Sequence, residues 1–197
     1  MNIQKWVSLF GRTIIVGAGV YLIAAVVTQW GDFMRAFSEG HLLGIVIQII
    51  NFIIFGFLFS VLSQMGFFAY LTLHRIALGM FRTYWGPIQL VLIAFAFFDL
   101  VYFRYTAFAR GGEPVWPYLL LPLILLIVSL VVAEVKKRET NRHAYIPTIF
   151  FMFVITVLEW LVGLTHNDTR SIWVIGVTLM ACNAYQVLKL HRLIKKD

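Results

Sequence analysis

Charged residues divide the chain into apolar runs of helical length. Residues 13–30 carry no charge and follow Lys5 and Arg12. Residues 42–73 are uncharged throughout, and 87–98 are uncharged with apolar character continuing through Asp99 to Phe103. Residues 115–133 and 172–188 have no charge, and 144–164 are interrupted only by Glu159. A hydrocarbon core of about 30 Å takes about 20 helical residues. The pattern therefore predicts an all-α polytopic membrane protein, one integral membrane domain over 1–197 with six transmembrane helices near 13–30, 42–62, 84–103, 115–133, 144–164 and 172–188.

The second run is too long for one ordinary crossing, since 32 residues reach about 48 Å. The reading is a span over 42–62 that leaves the membrane at Ser63-Gln64, followed by an interfacial segment over 65–81. In it Phe67, Phe68, Tyr70 and Phe81 sit at headgroup level, and His74, Arg75 and Arg82 face water or phosphate. A strongly tilted single helix is the competing picture.

Composition narrows the class. The chain is 61% apolar and 13% charged, against about 45–50% and about 25% in soluble domains. This excludes a soluble globular domain, low-complexity disorder and a nucleic-acid-binding module. Cys182 is the single cysteine, so no internal disulfide forms. The net charge of +7 reads as orientation. Twelve basic residues fall on one set of connections: Lys5, Arg12, Arg75, Arg82, Lys136, Lys137, Arg138, Arg142, Lys189, Arg192, Lys195 and Lys196. The alternate connections hold four, Arg35, Arg104, Arg110 and Arg170. The positive-inside rule then places both termini in the cytoplasm. A cleaved signal peptide would leave five spans, but no small-x-small cleavage pattern follows Val27.

Candidate chemistry is sparse. Asp99 and Glu159 are the carboxylates inside predicted spans, and an ionised group there normally has a partner or a job. Each lies about 22 Å from the cytoplasmic end of its span. With Arg104 they could form a polar pocket open to the outer face, for a cation, a proton or a small ligand; the plainer reading is helix packing through ion pairs. Gln48 with Asn51, and Asn183 with Gln186, share helix faces three residues apart. They read as intramembrane hydrogen-bonding positions, and Gly56 with Ser60 permits close helix approach. The five histidines are isolated, and no catalytic motif, metal site or cofactor fingerprint is present. The basic face of Lys136, Lys137, Arg138, Arg142, Lys189, Arg192, Lys195 and Lys196 fits attraction to anionic headgroups or docking of an acidic partner.

Several strings go further. They are Ser63-Gln64-Met65-Gly66-Phe67-Phe68-Ala69-Tyr70-Leu71-Thr72-Leu73-His74-Arg75, then Phe98-Asp99-Leu100-Val101-Tyr102-Phe103-Arg104-Tyr105, then Thr140-Asn141-Arg142. Ile146-Pro147-Thr148-Ile149-Phe150-Phe151-Met152, Leu158-Glu159-Trp160, Cys182-Asn183-Ala184-Tyr185-Gln186 and Leu190-His191-Arg192-Leu193 follow in order. From about residue 60 to 193 the chain resembles the KbaA family of KinB-signalling pathway activation proteins. That resemblance implies a multi-pass protein of the bacterial cytoplasmic membrane. It further implies a non-enzymatic positive regulator of a membrane-bound sensor histidine kinase feeding the sporulation phosphorelay, with no catalytic residues to carry over. The competing expectation is a small transporter or receptor built on Asp99, Arg104 and Glu159.

Overall fold

A computed structural model describes residues 3–109, 114–165 and 168–194, and they are almost entirely helical. The helices are α1 (Ile3–Thr28), the short α2 (Trp30–Ser38), α3 (Leu42–Phe81), α4 (Trp85–Phe108) and α5 (Trp116–Glu139). After a 3₁₀ turn come α6 (Tyr145–Phe150), a π-helical segment (Phe151–Ile155) and α7 (Thr156–Leu164), which form one continuous rod, and then α8 (Thr169–Ile194). Five helical stretches, Ile3–Thr28, Leu42–Phe108, Trp116–Glu139, Arg142–Leu161 and Thr169–His191, are long and apolar enough to cross a membrane.

The 67-residue stretch is two antiparallel helices. Arg82 takes φ 46° and breaks the rod. The Trp85 indole then donates to His74 Nδ1 at 3.0 Å across the turn. Neighbours confirm the reversal. Along α3, Gly66 lies against Glu159 and Tyr70 donates to the Pro147 carbonyl, so α3 opposes the α6–α7 rod. Along α4, Trp85 meets Phe150 and Phe97 stacks on Phe153, so α4 runs with it.

The segment over 65–81, expected to lie at the interface, is a continuation of the preceding helix. α3 continues unbroken for 40 residues, about 60 Å. Its buried positions, Ile45, Phe52, Gly56, Ser60, Ser63, Phe67, Tyr70 and Ala77, follow the three-and-four spacing of one inward stripe. Ser63 is a fully buried member of that stripe. The second unforeseen element is α2, which occupies a connection expected to be loop.

α1 lies antiparallel to α3 along a close seam. Trp6 stacks on Phe68, Tyr21 on Phe59, and Gln48 Nε2 donates to Gln29 Oε1 at 3.1 Å. Small residues set the distance: a Cβ on Gly56 would stand 2.6 Å from Ala18 Cα, so only glycine lets the backbones meet. α1 also opposes α8, with Cys182 beside Thr13 at one level and Val174 clustered with Ala25 at another. The start of α1 and the end of α8 therefore share one end of the bundle. The core centres on the α6–α7 rod, where Phe151, Met152, Phe153 and Trp160 are almost wholly enclosed.

Candidate functional site

Polar side chains meet where α3, α7 and α8 converge. Gln186 Nε2 donates to Ser63 Oγ at 2.6 Å, and Ser63 Oγ donates to Asn183 Oδ1 at 2.7 Å. Asn183 Nδ2 donates to Thr156 Oγ1 at 2.9 Å and to Glu159 Oε2 at 2.6 Å. Ser63, Thr156, Asn183 and Gln186 are fully buried and Glu159 nearly so. The bonds run in one sense, from the Gln186 amide toward the Glu159 carboxyl. Two acceptors, Glu159 Oε1 and Gln186 Oε1, end without a donor. In an apolar interior each such group costs about 1–3 kcal/mol, so the network makes position as well as stability matter.

Local sequence explains the convergence. Asn183 and Gln186 stand three apart on α8, and Thr156 and Glu159 three apart on α7, so each pair shares a face. Gly66 completes the site, because a methyl group there would occupy the place of Glu159 Oε1. Beside the network, Ser60 Oγ and Cys182 Sγ lie 3.8 Å apart. Sequence reasoning found Glu159, Asn183 and Gln186 but treated them as separate features, and it missed Ser63, Gly66 and Thr156. The seven-residue recurrence of the α3 stripe was the available signal for Ser63.

The three residues expected to form an outer polar pocket do not gather. Asp99 borders a groove shared with Leu158 and Leu161, whereas the Glu159 carboxyl is engaged by Asn183 and lies against Gly66. The Arg104 guanidinium lies over the Phe108 ring, 5.4 Å from its centroid. Neither Arg104 nor Glu159 lines the groove at Asp99. Of the Gln48 and Asn51 pair, Gln48 reaches Gln29 while Asn51 is exposed.

The basic face is smaller than the sequence suggested. Lys136 is buried, and its ammonium donates to the Val187 carbonyl at 2.7 Å with His191 Nδ1 at 3.3 Å. The correction has a simple cause. Leu125, Ser129, Val132 and Lys136 are buried positions of α5 at three- and four-residue intervals, so the helix carries Lys136 inward. Lys137 and Arg138 both bond Glu134, at 2.9 Å and 3.1 Å. Arg142 is exposed and Lys189 half-buried. Lys195, Lys196 and the Arg192 side chain lie outside the described residues.

At the opposite end, a recess of about 350 Å³ lies among Tyr21, Gln29, Asp168, Arg170 and Ser171. Arg170 bonds Asp32 at 2.7 Å. Hydrogen bonds from the Ser171 hydroxyl and amide hold the Asp168 carboxyl below the usual range. Among the described residues no group of three or more metal-ligating side chains assembles.

Together these features define an all-helical protein with several helices suited to crossing a membrane, internally tied by a buried amide–hydroxyl–carboxyl network. The chain belongs to the KbaA family, whose model, described as KinB-signalling pathway activation in sporulation, matches residues 17–193. It is 37% identical over 201 residues to the KinB-signaling pathway activation protein of Bacillus subtilis (strain 168), covering 100% of both chains. No solved structure matches.

Proposed function

We propose that this chain is a non-enzymatic regulator that crosses the bacterial cytoplasmic membrane six times. In this reading it activates a KinB-type sensor histidine kinase by direct helix contact and thereby feeds the sporulation phosphorelay. The carrying observation is the full-length similarity to a protein named for activating the KinB pathway. The helices α1, α3, α4, α5, the α6–α7 rod and α8 are the six crossings. The twelve-to-four bias of basic residues sets both termini inside, where Arg142 and its neighbours meet anionic lipid.

The geometry supports a contact mechanism. The buried side chains of Ser63, Thr156, Glu159, Asn183 and Gln186 bond chiefly to one another, and the connections between helices are too short to build a soluble effector domain. Output must pass through surfaces that touch another protein. Such a regulator acts only if it binds the kinase's signalling state more tightly than its silent state. The test is co-purification of the chain with its KinB-type kinase in membrane discs, paired with sporulation output in a deletion strain. Association and a fall in output on deletion are expected. No association and unchanged output would end the reading.

A further inference from the structure

The outer surface of α4 carries an isolated acid. Asp99 stands fourteen residues after Trp85 and nine before Phe108, about 21 Å and about 14 Å along the axis. It is exposed on the outside of the bundle. No hydrogen bond or ion pair engages it among the described residues. Arg104, the nearest cation along α4, is turned to Phe108 instead. In the proposed membrane setting this carboxyl faces lipid without a partner, an arrangement that costs free energy and is retained where a counter-group is supplied.

Beside Asp99 the surface is concave. A groove of about 400 Å³ separates α4 from the α6–α7 rod, walled by Leu100, Phe103, Val157, Leu158 and Leu161. A second hollow of about 450 Å³ lies on the other flank, between Asp99, Tyr105 and Val115. Asp99 is thus the single acid on a ridge between two apolar hollows. These walls suit the side chains of another helix and repel a hydrated solute. A second copy of this chain paired through this face about an axis along the membrane normal would set the two Asp99 carboxyls at one level, acid against acid.

We propose that the α4–α7 groove is the seat of a transmembrane helix of the partner sensor kinase, and that this helix presents a lysine or arginine to Asp99. The inference rests on the regulator reading and adds to it the face and the chemistry of contact. Apolar side chains of the incoming helix fill the hollows, and the ion pair sets its depth and rotation.

The experiment places a photo-crosslinking amino acid at Tyr102 or Leu158 on the groove rim, and at Ile15 or Ile47 on distant exposed faces. The full-length chain is co-expressed with its KinB-type kinase. Kinase adducts are expected from Tyr102 and Leu158 and not from Ile15 or Ile47. Asp99→Leu should lower the Tyr102 adduct at least tenfold, and Asp99→Glu should recover most of it. Because Asp99 is exposed, both variants should keep the parent's thermal unfolding in detergent. Adducts chiefly from Ile15 or Ile47 would overturn the seat while leaving the regulator reading intact. So would adducts at Tyr102 with only lipid or a second copy, full yield from Asp99→Leu, or silence at all four positions while kinase output still depends on the chain. Silence together with unchanged output on deletion would overturn both.

Discussion

At the scale of single residues, Asn183 is the hinge of the buried network because it alone touches Ser63, Thr156 and Glu159. Asn183→Ala removes a partner from all three, and we expect a loss of about 2–4 kcal/mol, read as a lowered Tm in detergent. Gly66→Ala pushes its methyl into the Glu159 carboxyl, so it should destabilise by about 1–3 kcal/mol. Combined with Glu159→Ala it should cost much less than the sum, and a double-mutant cycle measures that coupling. Lys136→Ala leaves the Val187 carbonyl without its ammonium donor and opens the joint between α5 and α8. It should weaken folding more than Arg138→Ala, whose side chain is solvated. Equal shifts in Tm would contradict this assignment.

Between elements, the seam of α1 with α3 and the turn after α3 make separate demands. Gly56→Leu cannot be accommodated while Ala18 Cα stands where it does; α1 should separate from α3, with Gln29–Gln48 crosslinking lost. At Arg82 the positive φ is strained for an L-residue, so Arg82→Gly should raise Tm by relieving about 1 kcal/mol. Much of the element pattern was legible because uncharged runs of helical length have few alternatives. The continuation of α3 was not, because Ser63-Gln64 looks the same in an interface as on an inward stripe. Hydropathy alone cannot separate a bundle-facing side from a lipid-facing one when both are apolar. Lys136 hid for the same reason, as one cation in a basic run. The π segment left no mark in composition, yet it re-phases α7 relative to α6. Without its wider turn Glu159 would point about 100° away from Asn183.

For the whole molecule, the shared end of α1 and α8 has a topological counterpart. A cysteine placed at Arg35 or Ser171 should react with a membrane-impermeant maleimide in intact cells, and one at Arg142 should react only after the inner face is opened. Reversed labelling would contradict the proposed orientation. The layout of the core also bears on biogenesis. The α6–α7 rod and α8, the most enclosed helices, are synthesised last, while α1 and α3 emerge first with Ser63 unpaired. In the proposed topology α1 and α3 can close on each other early, but Ser63 stays without its α8 partners until residues 142–194 arrive. Faults in the last third of the chain should therefore leave an inserted but uncompacted intermediate, the form that membrane proteases remove.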